Sequence, residues 1–179
     1  MLLAGLRKPV ELAPIDRSRR TVRDYIACLP PPGESGDALH DFPENRSRGV
    51  LELIRRIPKD GGSRLSLPRD KQLECHRNTD GFKDVYGRLA WNELAPTITS
   101  GCTNPSKGRF LHPEQDRALT LREAALLQSF SPKYKFSLSR GKGPASVLIG
   151  NALPPELIRR HAKHIKKNFL APSPLIKQQ

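Results

Sequence analysis

The clearest helical pattern in the sequence begins at Thr120, where small and apolar side chains follow a helix-start signal. Thr120 and Glu123 have the spacing of a capping box. In this motif the threonine side chain accepts a hydrogen bond from the backbone three positions on, and the glutamate reaches back. Alanine and leucine favour a helix up to about Phe130, and Pro132 prevents its continuation. We therefore predict a capped helix over residues 120–130.

A second helix is predicted after Gly150 and Asn151, which we interpret as a tight turn. Pro154 and Pro155 suit the first turn of a helix, because the N–H that proline lacks has no partner there. Free N–H groups at such a start favour an anion, although a turn without a ligand is the simpler interpretation. Pro172 ends the helix, and its expected apolar face consists of Ile158, Ala162, Ile165 and Phe169.

The rest of the chain shows shorter and weaker patterns. Residues 2–6 fit either a buried strand or a frayed terminus, and residues 21–26 predict a short helix. Residues 33–85 alternate short apolar pieces with glycine, proline, aspartate and asparagine, which is typical of loops and short strands. Residues 83–98 are expected to hold two short strands, with Pro96 at an edge.

The composition adds a strong basic excess to this picture. The chain has 179 residues, of which 17 are proline and 13 glycine, so we expect much loop and no large regular core. Its 31 lysines and arginines against 18 aspartates and glutamates give a net charge of +13, concentrated in residues 111–179. Such a charge favours a polyanionic partner, either nucleic acid or an acidic membrane surface. A free-standing nucleic-acid-binding or ribosome-associated protein is one interpretation that the composition permits.

Several classes of protein are not expected. No apolar run approaches the roughly 18 residues of a membrane span, so we expect an intracellular protein without a membrane partner. The three cysteines, Cys28, Cys75 and Cys102, form neither a disulfide framework nor a Cys-x-x-Cys pair. His161 and His164 are three positions apart, but no third ligand is evident. We assign them to a basic helix face and predict no metal site.

The segment from Asn104 to Arg109 is a candidate anion-binding loop. It carries glycine, serine and two cations, Lys107 and Arg109. Backbone N–H groups and cationic side chains in such a loop suit contacts to phosphate oxygens. A solvated loop without a ligand is the alternative, and both interpretations stay open at this point.

Taken in order, several segments resemble the motifs of one family. The sequence RALTLREAALLQSF at 117–130 is similar to motif IX of the DNA cytosine-5 methyltransferases, and GNALPP at 150–155 resembles their motif X. Residues 21–24 and 87–99 resemble the target-recognition region between motifs VIII and IX. Residues 1–7 resemble the strand that follows motif VIII. The order and spacing of these segments make the resemblance specific.

This resemblance implies a fold and a division of the chain. We expect an α/β fragment of a Rossmann-like, S-adenosylmethionine-dependent methyltransferase, formed by an edge strand, a C-terminal helix and a small, irregular, mostly β target-recognition domain. Residues 1–24 would hold the last strand of the large catalytic domain. Residues 25–145 would form the target-recognition domain, including the helix at 120–130. Residues 146–179 would contain the motif X turn and the helix that returns to the large domain.

Some groups that the family needs for catalysis have no counterpart in the sequence. None of the three cysteines follows a proline, as the family's nucleophile does, and the glycine-rich cofactor turn and the Glu-Asn-Val acid are absent. The Gln-x-Arg-x-Arg of motif VIII would lie just before Met1. We therefore expect no catalytic residue in this chain, and a separate chain with Pro-Cys-Gln and the cofactor turn as its partner. The alternative is an inactive truncated remnant that binds DNA at most.

The resemblance also implies roles for individual residues. Double-stranded DNA in a prokaryotic cytoplasm is the expected partner, and its expected contacts are Arg77, Lys83, Arg88, Thr97, Thr99, Asn104, Lys107 and Arg109. S-adenosylmethionine, held mainly by the missing part, is expected to touch Asn151 and Ala152. Motif IX is expected to be organised by Arg117, Thr120 and Glu123.

Overall fold

The computed structural model describes residues 12–14, 18–77, 81 and 83–169 of the chain. The α-helices in these ranges are α1 (Val22–Ile26), α2 (Arg48–Arg56), α3 (Glu74–Arg77), α4 (Leu121–Leu127), α5 (Lys142–Asn151) and α6 (Pro155–Phe169). Single 3-10 turns lie at Arg64–Ser66, Arg69–Lys71 and Pro105–Lys107. The strand predicted at residues 2–6 falls outside the described residues.

The prediction of an α/β fragment with a mostly β recognition domain is wrong. The described residues contain helices and no strand, and their sheet-like pairing is limited to two isolated bridges, Arg88 with Leu111 and Leu111 with Ala118. The two strands expected within residues 83–98 are therefore absent, and turns and extended segments take their place.

Helix α4 confirms the capped helix that was predicted from Thr120. Thr120 Oγ1 accepts a hydrogen bond from Glu123 N at 3.1 Å, and Glu123 Oε2 accepts one from Thr120 N at 2.8 Å. The helix ends earlier than predicted, because Ser129 adopts a left-handed conformation with φ of 68°. Phe130 N then donates to Ala125 O at 2.9 Å, which is the bond of a Schellman termination.

The other helix predictions have mixed outcomes. Helix α1 confirms the short helix expected at residues 21–26, and α6 begins at Pro155 as predicted. The tight turn expected at Gly150 and Asn151 is wrong, because these are the last two residues of α5. Helix α2 lies in the region where loops and short strands were expected, so that prediction is also wrong there.

Two of the helices that the sequence analysis missed, α2 and α5, are stabilised by tertiary packing. Helix α5 contains two glycines and a proline, which lower its intrinsic helix propensity. Its buried residues Ala145 and Ile149 are each 0% exposed in the larger hydrophobic cluster. Helix α2 buries Leu53 and Ile54 in the smaller cluster and exposes arginines on its other side. Packing of an apolar face supplies the stability that propensity does not.

The larger cluster joins α1, α4 and α5 into the main core. It includes Val22 of α1, Ala124 of α4 and Ile149 of α5. Residues between α1 and α4, such as Leu39 and Trp91, also belong to it. The core therefore draws on residues from each of the three predicted segments of the chain. Full burial of a side chain such as Ile149 contributes about 1.5–3 kcal/mol to folding.

Candidate functional site

A buried carboxylate organises the segment before α4. Glu123 is 1% exposed and accepts two hydrogen bonds from the Arg117 guanidinium, at 2.7 and 2.6 Å. Burial raises the pKa of Glu123, but the hydrogen bonds and charge of Arg117 outweigh it and hold this pKa below its usual value. Together with the Thr120 cap, this pair fixes the chain's entry into α4. Arg117, Thr120 and Glu123 are thus brought together.

Two buried histidines support the same segment. His40 Nε2 donates to Pro30 O at 2.8 Å, because a carbonyl can only accept, and His40 Nδ1 forms a hydrogen bond with Thr120 Oγ1 at 2.9 Å. His112 Nδ1 accepts from Glu114 N at 3.1 Å and from the next backbone N–H. Burial lowers the pKa of His112 from 6.5 to about 4. The His112 ring is therefore neutral at pH 7, and its acceptor nitrogen is occupied.

Arg88 has a structural position that conflicts with its predicted contact to DNA. It is 0% exposed, and the five N–H groups of its guanidinium all have acceptors. These acceptors, at 2.7–3.1 Å, are the carbonyls of Ile54, Ile57, His112 and Gln115 and the carboxylate of Asp116. A side chain without a free donor cannot read a base edge. We therefore correct the prediction and assign Arg88 to the core, where it joins α2 to the loop after Leu111.

The candidate loop from Asn104 to Arg109 is ordered by its own side chains. Asn104 Oδ1 accepts from Ser106 N at 3.1 Å and from Ser106 Oγ at 2.9 Å. Asn104 and Lys107 are exposed, whereas Arg109 is half-buried. The Arg109 guanidinium donates to Gly61 O at 2.9 Å and contacts Asp84 at 3.2 Å. Lys107 and Asn104 are thus the freer of the predicted DNA contacts in this loop.

The preceding segment presents two predicted contacts beside this loop. Thr97 and Thr99 are exposed, while Ile98 between them is 3% exposed and packs into the core. Gly101 lies so close to Lys107 that an added Cβ would be 2.7 Å from the lysine Cβ. The structure therefore places the 97–101 segment and the Lys107 loop side by side.

Arg77 and Lys83 belong to segments that precede this loop in the sequence. Both are exposed, and Arg77 donates to the carbonyls of Asp70 and Gln72, each at 3.1 Å. Helix α3, which carries Arg77, packs beside the smaller cluster through the ring of its His76, whose centroid is 5.8 Å from that of Tyr86.

A clamp around Gly150 and Asn151 is the feature that the sequence analysis missed. An added Cβ at Gly150 would lie 2.1 Å from the carbonyl carbon of Thr99, so the two backbones are in direct contact. Gln128 Nε2 donates to Ala152 O at 2.7 Å, 24 residues away. The end of α5 is therefore held between the end of α4 and the Thr99 segment. No short-range spacing links these partners, so sequence patterns do not reveal them.

The same end of the molecule exposes apolar surface. Five of the nine large hydrophobic side chains that are exposed in the described ranges lie between positions 147 and 158: Val147, Leu148, Leu153, Leu157 and Ile158. Leu153 and Leu148 are 67% and 58% exposed. Exposed apolar side chains that are concentrated in one stretch of a folded domain favour an interaction site there.

The predicted apolar face of α6 is partly exposed. Ile158 is 45% exposed, Ala162 is exposed and Ile165 is half-buried, while the side chain of Phe169 lies outside the described residues. In the part of the chain that the structure describes, no helix has both the length and the apolar character to cross a bilayer. That part also holds no group of three or more His, Cys, Asp or Glu side chains placed to bind a metal ion.

Comparison with known proteins identifies several relatives of this chain. Type II methylase M.HgiDII of Herpetosiphon aurantiacus is 40% identical over 157 residues, which cover 83% of this chain and 44% of that protein. Type II methyltransferase M1.BsuMI of Bacillus subtilis is 39% identical, over 71% of this chain and 32% of that protein. DNA (cytosine-5)-methyltransferase 3 of Arabidopsis thaliana is 33% identical, over 82% and 12%.

The chain spans less than half the length of each of these relatives. The family match covers most of the chain, because the profile described as C-5 cytosine-specific DNA methylase matches residues 39–167. This range contains the Arg117–Glu123 pair, the capped helix α4 and the clamp around Gly150. The chain therefore belongs to the C-5 cytosine-specific DNA methylase family.

Proposed function

We propose that this chain is the DNA-recognition part of a DNA cytosine-5 methyltransferase whose catalytic part is a separate polypeptide. The observation that carries the proposal is the group of exposed apolar side chains between Val147 and Ile158, a stretch that includes the predicted cofactor residue Asn151. A catalytic part seated on this surface would bury apolar area and complete the cofactor site in one step. The length that the relatives have beyond this chain is sufficient for such a part.

DNA is the proposed macromolecular substrate, and two regions of the surface would contact it. Thr97, Thr99, Asn104 and Lys107 form the first region, on adjoining exposed segments. Arg77 and Lys83 belong to the second, and Arg109 supports the Lys107 loop from its half-buried position. Lysine suits phosphate oxygens and guanine acceptors, and asparagine suits adenine. The net charge of +13 would make binding fall steeply with salt.

S-adenosylmethionine is the proposed cofactor, and this chain would supply one wall of its site. Asn151 is exposed at the end of α5, and its side-chain amide can both donate and accept a hydrogen bond. Ala152 is half-buried, and its carbonyl already accepts from Gln128. These residues fit a wall that contacts the cofactor's polar end. The cofactor, when bound, supplies the methyl group.

The proposed division of labour places the reactive sulfur on the other polypeptide. The Cys102 thiol is 0% exposed and lies 3.3 Å from Ser146 Oγ. Burial raises its pKa, which disfavours the thiolate that attacks cytosine. Cys28 and Cys75 are exposed, but neither follows a proline. The two polypeptides would act on DNA in a prokaryotic cytoplasm, as part of a restriction-modification system.

The experiment is a reconstitution with the product of a neighbouring open reading frame that carries Pro-Cys-Gln and the cofactor turn. The two chains are purified apart and mixed, and transfer of a tritiated methyl group from S-adenosylmethionine to duplex DNA is measured. We expect methyl transfer from the mixture and none from either chain alone. Transfer by this chain alone would refute the division of labour.

A matched pair of variants tests the docking surface. Leu148→Asp places a charge on the proposed surface and should reduce both association and methyl transfer at least tenfold. Leu65→Asp is the control, because Leu65 is 52% exposed but lies far along the chain from α5. DNA binding without any restored transfer would instead favour the inactive remnant.

A further inference from the structure

An open cavity of about 570 Å³ lies against the start of α5. Three cations, Arg46, Lys107 and Lys142, contribute to its lining, and Glu44 is the one carboxylate among its lining residues. Hydroxyl and amide side chains supply further polar groups to the lining. Neither Arg46 nor Lys142 stands out in the sequence, because they lie 96 positions apart and in segments without a motif.

The single carboxylate does not neutralise this cluster. Glu44 pairs with Arg46, which also donates to Thr103 O at 2.8 Å. The second oxygen of Glu44 accepts from Ala118 N at 3.3 Å. The ammonium groups of Lys107 and Lys142 make neither a salt bridge nor a hydrogen bond within the described ranges. The cavity therefore has an excess of positive charge.

The position of Lys142 at the start of a helix adds to this excess of positive charge. Lys142 is the first residue of α5, whose N-cap, Gly141, has no side chain to cap the helix and whose first turn holds no acidic residue. A cation at this end repels the positive end of the helix dipole. Burial lowers the pKa of Lys142, and the nearby Arg46 lowers it further, although Glu44 opposes this. An anion in the cavity would relieve each of these effects.

We propose that this cavity is a phosphate site, in which Lys142, Lys107 and the first backbone N–H groups of α5 hold the anion. Resting on the proposed function, we further assign the anion to a backbone phosphate of the DNA. Lys107 then serves both features, because it belongs to the recognition loop and also lines the cavity. Phosphate contacts of this kind fix the register of a protein on DNA without reading sequence.

The first measurement uses inorganic phosphate and the full-length, ¹⁵N-labelled chain. We expect saturable chemical-shift changes at the amides of Lys142 and Gly143 that potassium chloride at equal ionic strength does not produce. Lys142→Gln and, separately, Lys107→Gln should each weaken phosphate binding at least fivefold. Lys71→Gln is the matched control, because Lys71 is an exposed lysine that pairs with Asp70 at 3.5 Å. Unchanged amide shifts with phosphate would overturn the phosphate site.

The second measurement adds duplex DNA and separates the two sources of phosphate. If the ligand is a DNA phosphate, DNA displaces inorganic phosphate, and Lys142→Gln weakens binding equally for unrelated sequences. The slope of log K against log salt should then fall by about 1. Simultaneous binding of DNA and inorganic phosphate would overturn the DNA assignment and keep a free-phosphate site. A chain that binds inorganic phosphate but no DNA would refute the proposed function and leave the cavity's ligand established.

Discussion

The substitution Arg88→Lys removes a planar guanidinium that donates hydrogen bonds to five acceptors in the interior. The five N–H groups of Arg88 bind four carbonyls and the Asp116 carboxylate, and the side chain is 0% exposed. Lysine has three donors on one nitrogen, so at least two acceptors lose the hydrogen bond that Arg88 gives them. An unsatisfied buried acceptor costs about 1–3 kcal/mol. We expect Arg88→Lys to lower the free energy of unfolding by about 3 kcal/mol, a large fraction of the 5–15 kcal/mol that is usual for a domain.

Urea unfolding at pH 7 measures this effect through the chain's single tryptophan. Trp91 is 6% exposed and donates its ring N–H to Glu114 at 2.9 Å, so its fluorescence reports the loss of the core. With a urea slope of about 1–3 kcal/mol per molar, the midpoint should fall by about 1–3 M. Arg55→Lys, at an exposed position of α2, is the control and should shift stability by less than about 0.5 kcal/mol.

The alternative role of Arg88 has a distinct outcome in the same experiment. If Arg88 reads a base, Arg88→Lys weakens DNA binding while the urea midpoint stays within error of the unsubstituted chain. That result would refute the buried position and restore the contact that the sequence predicted.

Two further predictions concern the clamp and a buried histidine. Gly150→Ala places a Cβ 2.1 Å from the carbonyl carbon of Thr99 and should lower the free energy of unfolding in urea by about 2 kcal/mol or more. Gly143→Ala is the control, because no atom lies within 4 Å of its added Cβ, and it should change stability by less than about 1 kcal/mol. Equal effects of the two variants would contradict the clamp. Burial lowers the pKa of His112 from 6.5 to about 4, so the unfolded chain binds more protons and stability should fall by about 2 kcal/mol from pH 7 to pH 5. His112→Asn keeps an acceptor for Glu114 N, and a pH dependence that survives in this variant would exclude His112 as its source.

The candidate site was predictable where one short segment carries its own signal. The Thr120 cap and Glu123 are three positions apart, so a local pattern identifies them, and the structure shows both bonds of the capping box. Asn104 and Lys107 were recognisable as loop residues for the same reason, and both are exposed. The phosphate cavity was not predictable, because Arg46 and Lys142 approach each other only through the fold.

By itself, the sequence determined the family, the basic charge and those helices whose boundaries are encoded locally, namely α1, α4 and the start of α6. Capping residues and prolines act within one turn, so their effect can be read without knowing the fold.

The tertiary structure alone decided that Arg88 is buried, that α5 is helical and that the described ranges contain no strand. Arg88 binds Ile54 and Ile57, 34 and 31 residues away, and α5 is helical because Ile149 packs into the shared core. Such partners are set by which distant segments meet. A buried hydrogen bond or apolar contact there outweighs the weak local preference for a strand, a turn or an exposed cation.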